Sequence, residues 1–360
     1  MKNKEPLFHI SKRANISWQK SLLIKGGAIL SALILCCILL LCIANANPFE
    51  VIAQMFLGNF GTPRRIWMLL KDMSLLLIVA LALVPAFKMK FWNLGGNGQI
   101  LMGTLASIIC MFYMGNAGVS DLIIIPCMIV SSILAGVIWA VIPAIFKAIF
   151  NTNESLFSLM LNYVASGLVT VFLTIAVKTG SGTLGIVNAG NLVVIGNDYM
   201  LTILVAIVIF GFMFSYLKYS KHGYELTVVG ESEQTARYIG INVRKVVIRT
   251  LVLSGAICGI VGLLIAGSLS HTVNTESANN MGFTAIMVTW LGKCNPLYMV
   301  GTSFLVSFLS RGMQQVQTYC GLTNNAISDI ALGVMYFFII GCDFFTNYQI
   351  MFRRNKKEEK

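Results

Sequence analysis

The sequence predicts an all-α polytopic membrane protein with about ten transmembrane helices, and three observations carry that prediction. Of its 360 residues, 57% are hydrophobic and 11% charged, whereas soluble domains carry roughly 25% charged residues. The apolar residues form long continuous runs. A helix needs about 20 such residues to cross roughly 30 Å of hydrocarbon. A membrane barrel would instead show alternating segments of about ten residues. Lys and Arg are also distributed unequally between alternate connecting segments.

The spans fall at 24–45, 66–87, 97–115, 119–147, 155–177, 199–219, 246–268, 281–292, 297–312 and 326–346. The first follows a basic lead and ends near Ala44-Asn45-Ala46, which mimics a signal-peptidase site. Its lead is long and its apolar run nearly of span length, so an uncleaved first helix is expected. Two spans are weak. The third begins in Asn93-Leu94-Gly95-Gly96-Asn97-Gly98-Gln99, and the eighth runs only from Gly282 to Gly292. Glycines and amides at membrane depth are tolerated only where the backbone faces protein or a water-filled path.

Orientation follows from the cations. With the N-terminus inside, 20 of the 26 Lys and Arg fall on inner segments and 5 on outer ones, with Lys25 at a boundary. Both termini are then cytoplasmic, and the +12 net charge is accounted for without nucleic acid. The expected organisation is a cytoplasmic segment 1–23, a membrane domain 24–346 and a basic cytoplasmic tail 347–360. The weak spans are the third of each set of five. Interrupted spans in corresponding positions point to a transporter built from two repeats. An odd number of spans per repeat makes the repeats inverted.

Other chemistries find little support. None of the nine cysteines forms a CxxC pair, and most lie in apolar runs, as small packing residues do. The three histidines are scattered, so no metal site is suggested. The Gly292-Lys293 pair is followed by Cys294 and has no upstream glycine of the phosphate-loop kind. The chain is not expected to bind ATP itself.

The longest inner hydrophilic stretch runs from Lys218 to Arg249. Ser232, Thr235 and Ala236 can open a short helix and Gly240 can stop it. Such a helix is either a docking knob for a soluble partner or an ordinary solvated loop. At the helix break, Asn93, Asn97 and Gln99 either line a solute path or only satisfy the broken backbone. Glu154 stands at a helix N-terminus, where the dipole favours a carboxylate. Asn162 is eight residues further on the same face and is expected to bond to a neighbouring helix or to face the path. Lys71, Asp72, Asp329 and Asp343 are the other ionisable residues in or beside spans. Lys71 and Asp72 suit snorkelling or contact with a binding protein, and Asp329 suits the outer mouth. Phe283, Trp290 and Tyr298 either stack on a base or pack and anchor at the interface.

The inner stretch resembles the coupling loop of ABC importer permeases of the sugar, nucleoside and branched-chain amino acid class. The resemblance rests on Gly230, Thr235-Ala236 and Tyr238-Ile239-Gly240-Ile241, followed by the glycine-spaced Leu253-Ser254-Gly255-Ala256-Ile257-Cys258-Gly259-Ile260-Val261-Gly262. Phe91 to Gln99 is similar to the broken segment of the nucleoside-type branch. That branch usually has an acidic residue where Asn97 stands. Asn153-Glu154-Ser155-Leu156 with Leu159 to Tyr163, and Gly282-Phe283-Thr284-Ala285-Ile286 with Leu291-Gly292 and Asn295-Pro296, match two further signatures. The acidic version of the first motif, typical of the ribose-type branch, is absent, which tilts the expected solute towards nucleosides.

The resemblance implies a substrate path at Asn93, Gly95, Gly96, Asn97, Gln99, Asn162, Phe283 and Thr284. It implies a coupling surface within 220–245 at Gly230, Glu231, Ala236, Tyr238 and Gly240, and a structural or gating role for Asn153 and Glu154. The implied partners are a second permease, identical or paralogous, ATPase subunits that bind ATP and Mg, and an extracytoplasmic solute-binding protein. Two alternatives compete. An ion-coupled secondary transporter would need a membrane-embedded ion site, and the carboxylates are sparse. A membrane enzyme would need a cluster of catalytic side chains, and none converges in the sequence.

Overall fold

The computed structural model describes residues 8–12, 17–44, 46–177, 184–321 and 326–352. In chain order its elements are β1 (Phe8–Lys12), α1 (Trp18–Ala44), α2 (Pro48–Phe60), α3 (Pro63–Lys88), α4 (Gly96–Asn116), α5 (Asp121–Phe150), α6 (Glu154–Ala176) and α7 (Met200–Tyr219). Then come α8 (Lys221–Glu231), α9 (Glu233–Tyr238), α10 (Val243–Leu264) continuing as a π turn (Ile265–Ser270), α11 (Met281–Leu291), α12 (Pro296–Tyr319), α13 (Ala326–Asn347) and β2 (Tyr348–Phe352). Among the described residues six helices are long and apolar enough to cross a membrane: α3 to α7, and α10 with its π turn. Shorter apolar helices accompany them, α11 among them. The chain divides into two units, Pro63–Ser307 and Met1–Thr62 with Phe308–Lys360.

In the larger unit every residue of α3 from Ser74 to Ala86 is buried, and α10 with its π turn is buried more completely still. Helices α4, α5 and α10 approach one another through small residues. A Cβ on Gly103 would lie 2.9 Å from the Cα of Gly259, and one on Gly262 would lie 2.5 Å from the Thr104 amide nitrogen. Gly136 and Gly255 face each other's carbonyls too closely for any side chain. Hydrocarbon solvates leucine as well as a protein interior does, so helix association here depends on close backbone packing by small residues. The glycine spacing of residues 255–262 is therefore the packing face of α10.

One end of this bundle is closed by the segment 184–192. Leu184 and Leu192 cover a cluster that includes Leu105, Ile108, Met111, Ile124 and Met128. The segment is tied down by backbone bonds from Leu192 N to Gly267 O (2.8 Å) and Val187 N to His271 O (2.9 Å). The Gly190 amide donates to Asp121 at 2.8 Å. A π turn leaves carbonyls out of the regular ladder, and Gly267, inside that turn, gives its carbonyl to the cap.

In the smaller unit, Asn47 accepts from Phe49 N and Pro48 opens α2, a favoured N-terminal arrangement. The buried Asn59 amide donates to the carbonyls of Met55 (2.8 Å) and Phe308 (3.0 Å). The Tyr319 hydroxyl donates to Glu50 at 2.7 Å. Alongside the helices, β1 and β2 pair antiparallel, with Phe8 opposite Phe352 and Lys12 opposite Tyr348. The apolar runs of the sequence do not signal this strand pair.

Candidate functional site

The break before α4 is held by side chains. After Lys88 the chain turns at Lys90, in the left-handed region at φ 59°, and runs without helical bonds to Gly95. Asn93 is completely buried. Its Oδ1 accepts from Gly95 N (3.1 Å) and Gln99 Nε2 (3.2 Å), and its Nδ2 donates to Ser254 Oγ on α10 (3.2 Å). Asn162 on α6 accepts from Gly98 N (2.8 Å) and donates to Leu94 O (2.9 Å). Ser158, one turn earlier on α6, accepts from Leu94 N at 3.1 Å. A Cβ on Gly98 would sit 2.9 Å from both Asn162 Oδ1 and Trp139 Nε1, so the backbone can reach these partners only as glycine. Buried backbone groups need partners, and here Ser158 and Asn162 of α6 and Asn93 within the break supply them, with Ser254 of α10 holding Asn93 in place.

The second break meets the first. Asn280, at φ 52°, precedes α11, whose 11 residues rise only about 16 Å, roughly half a membrane. Asn97 Oδ1 accepts from Gly282 N at 2.7 Å, and Asn97 Nδ2 donates to Asn280 Oδ1 at 3.3 Å. A Cβ on Gly96 would lie 3.3 Å from the Gly282 Cα. The starts of α4 and α11 are thus in direct contact. Thr289 then ties α11 to α3 by donating to Ala80 O at 3.2 Å.

Asn93, Gly95, Gly96, Asn97, Gln99 and Asn162 therefore form one polar junction. Phe283 and Thr284 sit beside it, half-buried, and Thr284 Oγ1 bonds back to Asn280 O. Gln99 Oε1 is buried without a hydrogen-bond partner among the described residues. Ser158, Ser254, Asn280 and Trp139 were not singled out from sequence. The two serines leave a signal there, as hydroxyls inside apolar spans, but nothing local says what they bond. The junction's groups are neutral amides, hydroxyls and glycine backbone, buried and bonded to one another with Gln99 Oε1 left over, and they include no charged side chain or acid–base pair.

The stretch between α7 and α10 folds as two short capped helices. Ser220 accepts from Gly223 N (3.0 Å) to open α8, and Ser232 accepts from Thr235 N (3.2 Å) to open α9. At the end of α9, Gly240 has φ +83°. Ile241 N bonds Ala236 O at 2.9 Å and Gly240 N bonds Arg237 O at 3.1 Å, the bond pair of a Schellman ending. Gly230 packs against the Lys88 carbonyl at the end of α3 with no room for a Cβ. Glu225 of α8 pairs with Arg249 of α10 at 2.7 Å. Ala236 is buried while Glu231 and Gly240 are exposed, and Tyr238 is 91% exposed.

Asn153 caps α6 by accepting from Leu156 N at 3.1 Å. Glu154 forms an ion pair with Lys147 at 3.0 Å, so its surroundings are those of a helix-terminal carboxylate. Glu154, Gly230 and Glu231 line one cavity of about 250 Å³. Lys71 and Asp72 pair with each other at 2.8 Å and Asp329 is exposed, while the Asp343 side chain lies outside the described residues.

Residues 65–340 match the family described as the branched-chain amino acid transport system / permease component. The guanosine ABC transporter permease protein of Bacillus subtilis is 25% identical over 313 residues, covering 84% of this chain and 87% of that one. The glucose ABC transporter permease protein of Haloferax volcanii is 25% identical over 323 residues, 85% and 84% of the two chains. A nucleoside ABC transporter permease protein of Lactococcus lactis is 24% identical over 296 residues, 78% and 79%. With the family match over most of its length and its apolar helices, the chain belongs to this permease family and is a multi-pass cell-membrane permease subunit of an ABC importer, not an enzyme.

Proposed function

We propose that this permease carries a neutral, nucleoside-like solute, and that the solute passes the junction where Asn97 joins the starts of α4 and α11. The observation that carries the reading is the composition of that junction: amides, hydroxyls and bare backbone, all neutral. A sugar or base offers the matching donors and acceptors. The names of the Bacillus and Lactococcus relatives favour a nucleoside, and the Haloferax relative makes a simple sugar the next candidate.

The full reading has ten spans in two inverted five-helix repeats with both ends cytoplasmic. The pairing of β1 with β2 supports placing the two ends on one side. The meeting of the two short-circuited spans at Gly96 and Gly282 supports the repeat. Within 220–245, the exposed Tyr238 and Glu231 on the rigidly capped α8–α9 pair form the coupling surface for a partner ATPase, which holds ATP and Mg. Gly230 and Ala236 seat that pair on the membrane helices. Asn153 and Glu154 sit beside it and gate the inner end. A second permease, identical or paralogous, completes the path, and the exposed apolar face of α6 at Leu156, Met160 and Val164 is available to it or to lipid. An extracytoplasmic binding protein delivers the solute. ATP-driven closure of the ATPases shifts the permeases between inward and outward states.

Uptake of labelled guanosine into cells with and without this chain tests the solute. Competition by unlabelled nucleosides, and not by glucose, supports the reading; competition by glucose alone removes the nucleoside and leaves a sugar.

A further inference from the structure

A cavity of about 520 Å³ is lined by Phe87, Lys90, Trp92, Trp290, Lys293 and Cys294. That volume lies in the range of small-molecule sites. Trp92 comes from the first break and Trp290 from the end of α11. Their rings lie 5.1 Å apart at 40°, and Phe87 meets Trp92 edge-on at 5.7 Å. Both indoles remain partly exposed, Trp92 by 40% and Trp290 by 48%. Lys90 and Lys293 are exposed, and no ion pair is recorded for either among the described residues. Lys90, Lys293 and Cys294 all hold left-handed backbone, at φ 59°, 51° and 53°. Non-glycine residues rarely adopt that region, and such conformations gather at ligand clamps and switches.

Two partly exposed indoles suit a flat ring, and two ammonium groups outside any ion pair suit negative charge on it; Lys90 also borders the neighbouring cavity that Glu154, Glu231 and Glu233 line, so Lys293 is the cation farther from carboxylates. A neutral nucleoside would use the first feature and leave the second idle. We propose that this cavity binds a phosphorylated nucleoside from the cytoplasmic side, with the base against Trp92 and Trp290 and the phosphate between Lys90 and Lys293. The proposal rests on the nucleoside reading and the inner placement of Lys90 and Lys293. A ligand there bridges the loop before α4 and the loop after α11, the two interrupted spans that meet at Asn97, and so holds them in one arrangement. The cavity is therefore a product-sensing site, at which the phosphorylated form of the imported solute slows further import. The same chemistry, an anion beside interfacial tryptophan, also suits a phospholipid headgroup.

The test uses the full chain in nanodiscs and follows tryptophan fluorescence during titration with guanosine monophosphate, guanosine or inorganic phosphate. The expected result is saturable quenching by the monophosphate at a concentration at least tenfold below that for guanosine. A Lys90→Gln/Lys293→Gln double variant should bring the two ligands to the same midpoint, and Trp92→Phe/Trp290→Phe should remove the quenching. Equal midpoints in the unmodified chain, or a midpoint indifferent to the lysine changes, would overturn the proposal. Nanodiscs of purely zwitterionic lipid, compared with discs containing anionic lipid, separate the sources. If anionic lipid alone produces the change and abolishes nucleotide quenching, the site is a headgroup site and the proposal is wrong. Guanosine uptake and nucleotide quenching, both measured on the unmodified chain, keep the two claims apart. Uptake without nucleotide quenching sinks only the sensing site; quenching without guanosine uptake sinks only the transport reading.

Discussion

Replacing Asn162 with alanine tests how the first break is held. The side chain makes two hydrogen bonds across elements, from Gly98 N at 2.8 Å and to Leu94 O at 2.9 Å, and is only 9% exposed. Alanine leaves a buried amide and a buried carbonyl without partners. Interhelical hydrogen bonds in membrane proteins average about 0.6 kcal/mol and reach about 1.7, so losing the pair costs about 1–3 kcal/mol. Asn162→Asp keeps the acceptor for Gly98 but, ionised, sets a buried carboxylate oxygen against the Leu94 carbonyl, so it should cost at least as much as alanine. The assay is unfolding of the purified chain in mixed micelles, read by circular dichroism, beside uptake by cells producing equal amounts of protein. If Asn162→Ala unfolds within a few tenths of a kcal/mol of the original chain, the amide does not hold the break. A normal unfolding midpoint with a raised half-saturation for the solute would instead place the amide in direct contact with it.

Other expectations are as specific. Asn97→Asp should retain uptake, because a carboxylate still accepts from Gly282 N and Asn280 can turn its amide to donate; Asn97→Leu orphans the Gly282 amide and should cost about 1–3 kcal/mol in the same unfolding assay. Gly230→Ala places a Cβ into the Lys88 carbonyl, whereas Gly211→Ala meets nothing within 4 Å. The first should lower uptake at least tenfold at equal protein level and the second should not, as labelled-solute uptake will report. Gly255→Leu pushes α10 off Gly136 and Ala140, while Gly167→Leu enters open space. Overpacking costs about 1–3 kcal/mol, so only the former should lose monodisperse protein on size-exclusion chromatography. Burial pushes the Cys294 thiol upward, with Lys88 pulling the other way. Only the thiolate reacts, so its alkylation, measured by mass spectrometry, should be slow at neutral pH and climb in alkaline solution.

Helix positions were legible because the bilayer imposes length and apolarity on each span. The short helix α11, the glycine-rich break before α4 and the caps at Ser232 and Gly240 are local chemistry, and each lies where the sequence puts it. What faces what was not legible. Helix α5 is more apolar than α10 yet far less buried, since hydrocarbon and protein interior select the same side chains. The deep burial of α10 and α3 is invisible for that reason. The partners of the break are also distant in sequence: Asn162 lies 64 residues from Gly98, and Asn97 lies 185 from Gly282. Single-residue patterns announce that such an amide needs a partner and do not name it. The cap at 184–192 and the amphipathic α2 lie in connecting segments, where neither span length nor hydropathy constrains the chain.

The measurement that tests the central claim most directly is affinity purification of the full chain from its own membranes, with mass spectrometry and an ATPase assay, for the unmodified chain and Gly240→Arg. Gly240 occupies φ +83° and completes the bond pair that ends α9, so arginine there strains the surface assigned to the ATPase. The account predicts that an ATPase subunit and its activity co-purify with the unmodified chain and fall away from the variant. A chain that emerges alone, from membranes whose uptake persists without ATP and follows an ion gradient, would contradict it.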